Sequence, residues 1–445
     1  MRENLQVSII MPIYNTQLYV ESSIQCILNQ TYKNFELICI DDASVDNSLP
    51  IVKKFAAKDN RIKVLQNQKR LGAAKSRNLG IEIANSPYLL FLDADDLFEE
   101  TLLEELVGTA VVSQADLIFL GYDKFTEESK VAWGKTPIND MIKKYTKHLF
   151  SLNEISYTKW LEIPQCTWNR MISRKLADRY QLRFQDLACA NDVFFSVMAT
   201  MLADKIIYTD APINLLHGRN HDSPDRISSD RDPMCVYEAL YEIRQSMLEL
   251  QIWEEYCRHF WMYVLIRMTN GLIRCKTEAR RREVYIFLQE EGMYRLGVLK
   301  DRMYETLAVE YRQGLEQFIQ EPYSREYLMN GDFKRAIDYY YFSEQWKPVV
   351  DELRDDFEHV GVWGTGMYGN AFFLLCNSEG CFIQEVYDND REKQGMLFHG
   401  KRIKSLEQKN SQITHIVIAC KNHNEEIAEQ IESFDKNITI IKLGE

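Results

Sequence analysis

An alternation of short apolar runs with amphipathic segments, over roughly the first hundred residues, constrains the fold more than any other feature. Four apolar runs have the length of β-strands, and apolar residues in the segments between them recur every three or four positions, as in helices that face a core. The predicted strands are 7–11, 35–40, 62–65 and 88–92, and the predicted helices are one capped by Asn15 or Thr16, 49–57 and 72–85. Strands joined by helical crossovers form a parallel sheet with both faces covered, so the pattern predicts an α/β fold.

Polar residues follow three of these strands at the point where each strand ends. The first strand runs into 12–15, the second into Asp41 and Asp42, and the fourth into Asp93, Asp95 and Asp96. Ligands of open α/β sheets bind beyond the carboxyl ends of the strands, and this edge collects up to five carboxylates. Close like charges raise each other's pKa, and a divalent cation such as Mg²⁺ or Mn²⁺ relieves the repulsion.

An alternative interpretation needs no ligand. Asp-rich turns after strands are common as helix caps, and Asp96 could cap a helix that starts near Leu97. Two Asp-rich turns at the same sheet edge favour a functional site over two independent caps.

Four segments occur together in the order and spacing of a known family. They are 7–15, 40–46, the Gly72-x5-Asn78-x-Gly80 pattern and 91–96. Over roughly residues 5–225 the chain resembles the family 2 glycosyltransferases of the GT-A fold. The resemblance implies a GT-A nucleotide-sugar-binding domain with a mixed, mostly parallel sheet. Two positions depart from the family's pattern, Ala43 where it often has Gly and Val45 where it often has Thr.

The resemblance also implies roles for residues on the donor side. Pro12 and Tyr14 would line the base pocket of a nucleotide sugar, Asp42 would hydrogen-bond the base, and Arg77 would reach the diphosphate or the sugar.

The segment Asp93-Ala94-Asp95 is similar to the family's DxD element. By that similarity Asp93 would approach the ribose and the sugar, and Asp95 would hold the Mn²⁺ or Mg²⁺ that bridges the two phosphates. Glycosyl transfer must stabilise a departing diphosphate, which a metal does as a Lewis acid.

A candidate general base lies about 100 residues further on, in 188–195. This segment resembles a family element whose Asp removes the proton from the acceptor hydroxyl, which assigns that role to Asp192. The alternative is that Asp192 caps the helix that follows, and the two interpretations are compatible. A single displacement with such a base inverts the anomeric centre, so that an α-linked donor gives a β-linked product.

The segment 214–223 resembles the family's loop that closes over the diphosphate. His217 or His221 would supply a metal ligand and Arg219 would meet a phosphate, although isolated loop histidines are commonly only solvated. The polar stretch that follows, to about Pro233, is interpreted as a lid that orders on donor binding.

The residue pattern of the second half of the chain predicts two further domains. The predicted domains are 1–230, 231–348 and 349–445. The middle region is helical and rich in aromatic residues between 253 and 263, which either pack a helix bundle or form an acceptor platform. The last region resembles a small Rossmann-like α/β domain. It has a strand, a GxGxxG pattern at Gly364, Gly366 and Gly369, and Asp388 near the ribose-binding position. A structural or assembly role, including a homo-oligomer, is favoured over cofactor binding.

Composition and charge limit the partners and the cellular location that we expect for the protein. A net charge of −13 argues against a general nucleic-acid partner, and no apolar run approaches the length of a membrane span. Ten scattered cysteines without a CxxC pair, and an N-terminus without a signal peptide, predict a cytoplasmic protein, at most peripheral at the inner membrane face.

The leading interpretation is a metal-dependent inverting glycosyltransferase that uses a UDP-linked donor and a glycan or glycoprotein acceptor in cell-surface glycan biosynthesis. One alternative is a non-catalytic nucleotide-sugar-binding or scaffold subunit, against which the presence of both the DxD element and Asp192 argues. Another is a transferase fused to an NAD-linked oxidoreductase.

Overall fold

The structure, a computed structural model, describes most of the chain. The described ranges are 5–125, 148–157, 165–209, 232–307, 309–320, 346–391, 393–420 and 424–443, with short pieces at 132–133, 160, 163, 215–217 and 322–323. The chain divides into two compact units, Met1–Thr306 and Leu307–Glu445. The three domain boundaries taken from the sequence stay a prediction.

Two sheets organise the first unit. Its strands are β1 (Val7–Ile13), β2 (Phe35–Asp41), β3 (Ile62–Gln66), β4 (Tyr88–Phe91), β5 (Leu97–Phe98), β6 (Leu117–Phe119), β7 (Tyr122–Phe125), β8 (Ala132–Trp133), β9 (Arg170–Ser173), β10 (Ile206–Tyr208) and β11 (Leu215–His217). A seven-stranded sheet has the order β10-β6-β9-β4-β1-β2-β3, and a four-stranded sheet has the order β5-β11-β7-β8.

The larger sheet is mixed and mostly parallel. Strand β1 pairs in parallel with β2 and β4, whereas β9 runs antiparallel between β4 and β6. Every residue of β2 is buried, as expected for a strand covered by helices on both faces. The predicted α/β fold and the four predicted strands are confirmed.

The helices of the first unit connect these strands and then form a helical region of their own. They are α1 (Val20–Leu28), α2 (Ser48–Ala56), α3 (Ala73–Ile83), α4 (Leu102–Ser113), α5 (Arg174–Arg179), α6 (Val193–Leu202), α7 (Pro233–Glu249), α8 (Trp253–Arg274), α9 (Glu278–Phe287) and α10 (Met293–Arg295). Helix α3 lies close against β1, because a Cβ on Gly80 would come within 2.4 Å of Ile10 Cγ2. The glycine of the Asn78-x-Gly80 pattern therefore permits this close packing.

The predicted cap of α1 is wrong. The helix begins at Val20 with Tyr19 at the cap position, and neither Asn15 nor Thr16 caps it. Those two residues instead tie the end of β1 to the loop after β2 and to the first residue of α2. The Asn15 side chain accepts a hydrogen bond from Val45 N (3.0 Å), and Thr16 N donates to Ser48 Oγ (2.8 Å).

The expectation that Asp96 caps a helix near Leu97 is also wrong. Leu97 and Phe98 form β5, and the next helix, α4, begins only at Leu102. Strand β5 pairs with β11 on the neighbouring sheet, so tertiary pairing determines the conformation of this segment.

The aromatic residues of α8 belong to a core. Their exposed fractions lie between 0% and 6% for Trp253, Tyr256, Phe260, Trp261 and Tyr263. Because they are buried, these side chains pack a helix bundle and offer no platform to an acceptor sugar. Among the described residues, no helix has the length and apolar character needed to cross a membrane.

The second unit has a sheet of its own. Its helices are α11 (Val309–Gln320), α12 (Met367–Ser378) and α13 (Asn424–Phe434), and its strands are β12 (Val360–Trp363), β13 (Glu385–Tyr387), β14 (Leu397–Phe398), β15 (Lys401–Lys404), β16 (His415–Ile418) and β17 (Thr439–Lys442). The order across the sheet is β14-β15-β13-β12-β16-β17, and all pairs are parallel except β14 with β15.

Candidate functional site

The acidic loop after β4, defined here as Asp93–Asp96, lies at the carboxyl edge of the larger sheet. Carboxylate oxygens of Asp93, Asp95 and Asp96 all lie within 4.8 Å of one another. Helix α1 holds the loop backbone, because Ser23 Oγ lies 2.9 Å from the Ala94 carbonyl oxygen and 2.7 Å from that of Asp96. The loop is therefore a fixed cluster of oxygen donors, as a hard divalent cation requires.

Arg77 on α3 meets this loop from the side. Its Nη2 lies 2.9 Å from Asp93 Oδ1, and the residue is only 8% exposed. The Arg77 guanidinium also lies over the Phe184 ring, with Cζ 5.4 Å from the centroid. Among the described residues the buried Nε of Arg77 has no hydrogen-bond partner. The arginine thus orients Asp93 and retains a donor.

Asp42 is committed to the loop that precedes α3. Its Oδ1 accepts hydrogen bonds from Leu71 N and Asn67 Nδ2, and its Oδ2 accepts one from Gly72 N, each at 2.8 Å. The residue is 3% exposed. Since a carboxylate oxygen has two lone pairs, Oδ2 keeps one acceptor position for a further donor.

The residue after Asp42 stands at one of the two positions where the chain departs from the family's pattern. Ala43 has φ 58°, in the left-handed region where glycine is favoured. The position therefore needs a turn that Gly makes without strain, and this chain makes it with Ala. Beside it, Asp41 is 1% exposed, and its Oδ1 has no hydrogen-bond partner among the described residues.

The end of β1 places Tyr14 at the same edge of the sheet. The Arg70 guanidinium covers its ring, with Cζ 4.0 Å from the centroid. Pro12 is opposite Ile40 of β2 and lies beyond Ile10, the last residue of β1 that pairs with β4. Its missing N–H thus falls where pairing with β4 has ended.

Asp192 stands at the start of α6, and its side chain makes no capping hydrogen bond with the described first turn. It is partly exposed, and Ala190 just before it has the left-handed φ of 56°. A strained backbone of this kind is common at functional sites. The carboxylate is therefore available for another role than helix capping.

Three phenylalanines connect the start of α6 to the acidic loop. Phe195 stacks on Phe184 at 4.2 Å between ring centroids, and both contact Phe91, the last residue of β4, edge to face. Below α6, the buried Arg170 donates to Ser196 O and Thr200 Oγ1, each at 2.9 Å. One packed aromatic cluster therefore joins the first turn of α6, which follows Asp192, to the end of β4, which precedes the acidic loop.

Comparisons with known proteins identify the family. The family model described as Glycosyl transferase family 2 matches residues 8–181. The putative glycosyltransferase EpsH of Bacillus subtilis (strain 168) is 30% identical over 293 residues, which cover 63% of this chain and 80% of EpsH. The chain belongs to glycosyltransferase family 2. The resemblance seen in the four sequence motifs is thereby confirmed, and this family 2 member is an enzyme of the glycosyltransferase class.

Two further similarities concern a named activity and a solved structure. The UDP-Glc:alpha-D-GlcNAc-diphosphoundecaprenol beta-1,3-glucosyltransferase WfgD of Escherichia coli is 35% identical over 138 residues, 29% of this chain and 54% of WfgD. The crystal structure of S. aureus TarS 1–349 in complex with UDP superposes with a TM-score of 0.56 at 17% identity, covering 77% of this chain and 92% of that one. At that identity the similarity shows the shared fold.

The three predicted loop residues of this family 2 glycosyltransferase are only partly placed. The backbone of His217 ends β11, whose Leu216 pairs with Leu97 directly after the acidic loop. The His217 side chain, Arg219 and His221 lie outside the described residues. The topology thus brings the β11 strand beside the acidic loop, and the metal and phosphate roles of these residues stay predictions.

Some residues of the site escaped prediction from the sequence. Arg70, Ser23 and Phe184 carry no motif signal, because each acts through contacts with distant segments. Asn78 belongs to the Gly72-x5-Asn78-x-Gly80 pattern, but the pattern does not indicate its role. Its side chain accepts from Phe184 N and donates to Phe184 O, both at 2.8 Å, and so fixes the aromatic ring under Arg77.

Proposed function

We propose that this family 2 glycosyltransferase is metal-dependent and inverting, and that it transfers a sugar from a UDP-linked donor to a glycan or glycoprotein acceptor in cell-surface glycan biosynthesis. The observation that carries the proposal is the junction of the acidic loop and Asp192 through Phe91, Phe184 and Phe195. This cluster supports the proposal because it links the end of β4, which carries the donor-side carboxylates, to the start of α6, which carries a carboxylate without a capping bond.

On the donor side, each residue has a proposed contact. Tyr14, with Pro12, lines the base pocket, and the remaining acceptor position of Asp42 Oδ2 receives a base N–H. Asp93, held by Arg77, accepts from ribose or sugar hydroxyls. Arg77 is supported in this role by its buried, unpaired Nε, which a diphosphate or sugar oxygen would satisfy.

The acidic loop fits a divalent cation. Three carboxylates with oxygens within 4.8 Å of one another repel unless a cation or donors compensate them, and oxygen ligands suit Mg²⁺ and Mn²⁺. Asp95 is the proposed principal ligand, with Ala94 as the spacer of the DxD element and His217 or His221 as a further ligand. When bound, such an ion supplies Lewis-acid stabilisation of the departing diphosphate, to which Arg219 would add a positive charge.

On the acceptor side, Asp192 removes the proton of the attacking hydroxyl. Its carboxylate forms no capping bond, and Arg170 fixes the helix that carries it. Attack from the face opposite the diphosphate inverts the anomeric carbon, which is the basis of the α-to-β outcome proposed here.

The donor and acceptor classes rest on relatives as well as on residues. WfgD is named as an enzyme that uses UDP-Glc and forms a beta linkage, and TarS has been crystallised with UDP and with UDP-GlcNAc. A cytoplasmic location, peripheral association with the inner membrane face and a homo-oligomer formed through the second unit belong to the same proposal.

A screen of donor hydrolysis tests the proposal. The purified chain is incubated with UDP-, GDP- and dTDP-linked sugars, with Mn²⁺ or with EDTA, and release of the nucleoside diphosphate is measured. We expect release from a UDP-sugar with Mn²⁺ and little release in EDTA. Hydrolysis that persists in EDTA would refute the metal dependence, and a preference for GDP- or dTDP-sugars would refute the UDP assignment.

A further inference from the structure

The second unit contains a cavity of about 640 Å³ that the glycosyl-transfer site does not use. It opens at the carboxyl ends of β12, β13 and β16, and its lining includes Trp363, Thr365, Asp388, Cys420 and Ile427. This volume is typical of cavities that hold small molecules or cofactors. Apolar and polar groups share the lining, as in sites where a few polar side chains orient a ligand.

The cavity lies at the point where the chain reverses its direction across the sheet. Strand β12 has β13 on one side and β16 on the other. The chain runs outward from β12 to β13 and β15 and then crosses back to β16, so the strand order reverses at β12. In parallel α/β sheets this reversal opens a crevice at the carboxyl edge, where nucleotide ligands bind. The cavity therefore occupies the position that the topology makes available.

The three glycines of the GxGxxG pattern differ in their surroundings, and two of them are required by the local geometry. Gly364 has φ 110°, and a Cβ there would lie 2.6 Å from the Ala419 carbonyl oxygen. A Cβ on Gly369 would lie 1.9 Å from the Gly364 carbonyl oxygen, so this glycine lets α12 approach the strand closely. Both positions exclude any larger residue.

Gly366 differs from the other two because no packing contact requires it. Among the described atoms, nothing lies within 4 Å of a Cβ built there, and the residue lines the cavity. Its φ of −83° is open to any amino acid. A glycine at this position leaves the backbone amides at the start of α12 accessible to a ligand, and phosphates bind such amides.

Asp388 stands across the cavity, at the end of β13. It accepts hydrogen bonds from Thr365 N (3.3 Å), Thr365 Oγ1 and Asp390 N (2.9 Å), and Lys393 Nζ lies 3.4 Å away. Burial raises its pKa, but these hydrogen bonds and the nearby lysine together bring the pKa below its ordinary value. The side chain is an ionised acceptor, and Lys393 offers a positive charge in the same cavity.

We propose that this cavity binds a ribonucleotide that carries a diphosphate. The diphosphate lies on the loop from Gly364 to Gly366 and the start of α12, and Asp388 accepts hydrogen bonds from the ribose hydroxyls. This chemistry is shared by a nicotinamide adenine dinucleotide and by a nucleotide sugar. Either ligand would bind without a divalent ion, because backbone amides and Lys393 meet the phosphates.

The test uses the full chain in EDTA, titrated calorimetrically with NADH, UDP-GlcNAc and ADP. EDTA silences the proposed metal-dependent donor site in the first unit, so that the remaining binding reports on the second. Gly366→Ala adds one methyl group in the cavity without a packing clash, and Ser411→Thr adds one on an exposed loop of the same unit as the control.

We expect one site for at least one of the three ligands, weakened at least about 10-fold by Gly366→Ala and unchanged by Ser411→Thr. Binding of NADH but not of UDP-GlcNAc identifies a dinucleotide, and the reverse identifies a nucleotide sugar. A 2′,3′-dideoxy analogue of the nucleotide that binds should lose at least about 10-fold in affinity if Asp388 contacts the ribose.

Absence of binding for all three ligands, or binding that Gly366→Ala does not change, overturns the proposal. Equal affinity for the dideoxy analogue overturns the Asp388 contact. Asp95→Ala should leave this binding unchanged, so that a failure here and a failure of the glycosyltransferase proposal are seen separately.

Discussion

Asp95 is the residue on which the proposed metal dependence turns. Its carboxylate belongs to a cluster whose oxygens lie within 4.8 Å of one another, and it is partly exposed, whereas Asp96 is fully buried. We expect Asp95→Ala to abolish the gain in UDP affinity that Mn²⁺ gives the wild-type chain, because two carboxylates remain where three stood. Calorimetry of UDP binding with and without Mn²⁺ measures that gain.

The matched control for Asp95→Ala is Glu100→Ala, which removes an exposed carboxylate a few residues further along. It removes one negative charge from the region, as Asp95→Ala does, but lies outside the cluster, so metal-enhanced binding should persist. Undiminished Mn²⁺ enhancement in Asp95→Ala would remove Asp95 from the metal site.

Asp192→Asn tests the general base with little change in size. Since the side chain makes no capping hydrogen bond, stability should change little. General-base catalysis contributes about 10²–10⁴-fold in rate, so transfer to the acceptor should fall at least about 10²-fold, roughly 2.7 kcal/mol of barrier. Turnover and UDP affinity are measured on the same folded variant, and the affinity should stay within a few-fold. Near wild-type transfer would rule out the base, and a collapse of UDP affinity would place Asp192 on the donor side.

At the scale of elements, His259 makes the packing of α8 sensitive to pH. Its Nε2–H donates to Ile155 O at 3.0 Å, and Trp160 Nε1 donates to the His259 carbonyl oxygen at 2.9 Å. The ring Nδ1 is buried without a partner among the described residues. Burial lowers the pKa of His259 to about 4, so the folded protein holds a neutral imidazole.

This depressed pKa predicts a loss of stability on mild acidification. Between the ordinary His pKa of 6.5 and about 4, the unfolded chain binds a proton that the folded protein does not, so the free energy of unfolding falls as the pH drops through that window. The neutral imidazole makes its full contribution to the free energy of unfolding above pH 6.5. At pH 5 the free energy of unfolding is lower by about 2 kcal/mol. Urea unfolding at pH 7 and pH 5 measures it.

The comparison variant is His259→Gln, whose amide can donate to Ile155 O but does not titrate. Its urea midpoint should shift less between pH 7 and pH 5 than that of the wild type. His148→Gln, at an exposed site, should shift as the wild type does. Equal shifts in all three proteins would show that His259 has no part in the acid sensitivity.

Local pattern was sufficient to predict the elements around the site but not the contacts between them. A strand prediction depends only on neighbouring positions, such as the apolar runs at 7–11 and 35–40 and the turn residues after them. Strands β1 and β2 form at these runs. The pairing of Asn78 with Phe184 joins positions 106 residues apart, and no local pattern encodes it. The predicted cap of α1 is wrong for the same reason, because the Asn15 side chain accepts its hydrogen bond from a loop 30 residues away.

At the scale of the whole molecule, the first compact unit joins the α/β part to the helices that follow residue 230. The change from α/β to helical pattern predicts a domain boundary near 230, and the first compact unit runs from Met1 to Thr306. Contacts across residue 230 hold the two parts together. Trp160 donates to the carbonyl oxygen of His259 in α8, and Cys189 Sγ lies 3.6 Å from the carbonyl oxygen of Asp232, directly before α7. Helices α7–α10 therefore complete the core of the first unit.

Two truncations separate these boundaries. The chain cut after Thr306 should fold and retain donor hydrolysis, because every proposed donor and acceptor residue and the helices that cover them lie within it. The chain cut after residue 231 should aggregate, because it loses Trp261 and Phe260, which are fully buried, and leaves the partly apolar face of α6 uncovered. Near-ultraviolet circular dichroism and UDP release are measured on both, and light scattering compares the longer one with the full chain.

A soluble, active 1–231 would show that the helical region is dispensable. If 1–306 has the same oligomeric state as the full chain, the second unit has no role in assembly, and its remaining proposed role is to bind a nucleotide.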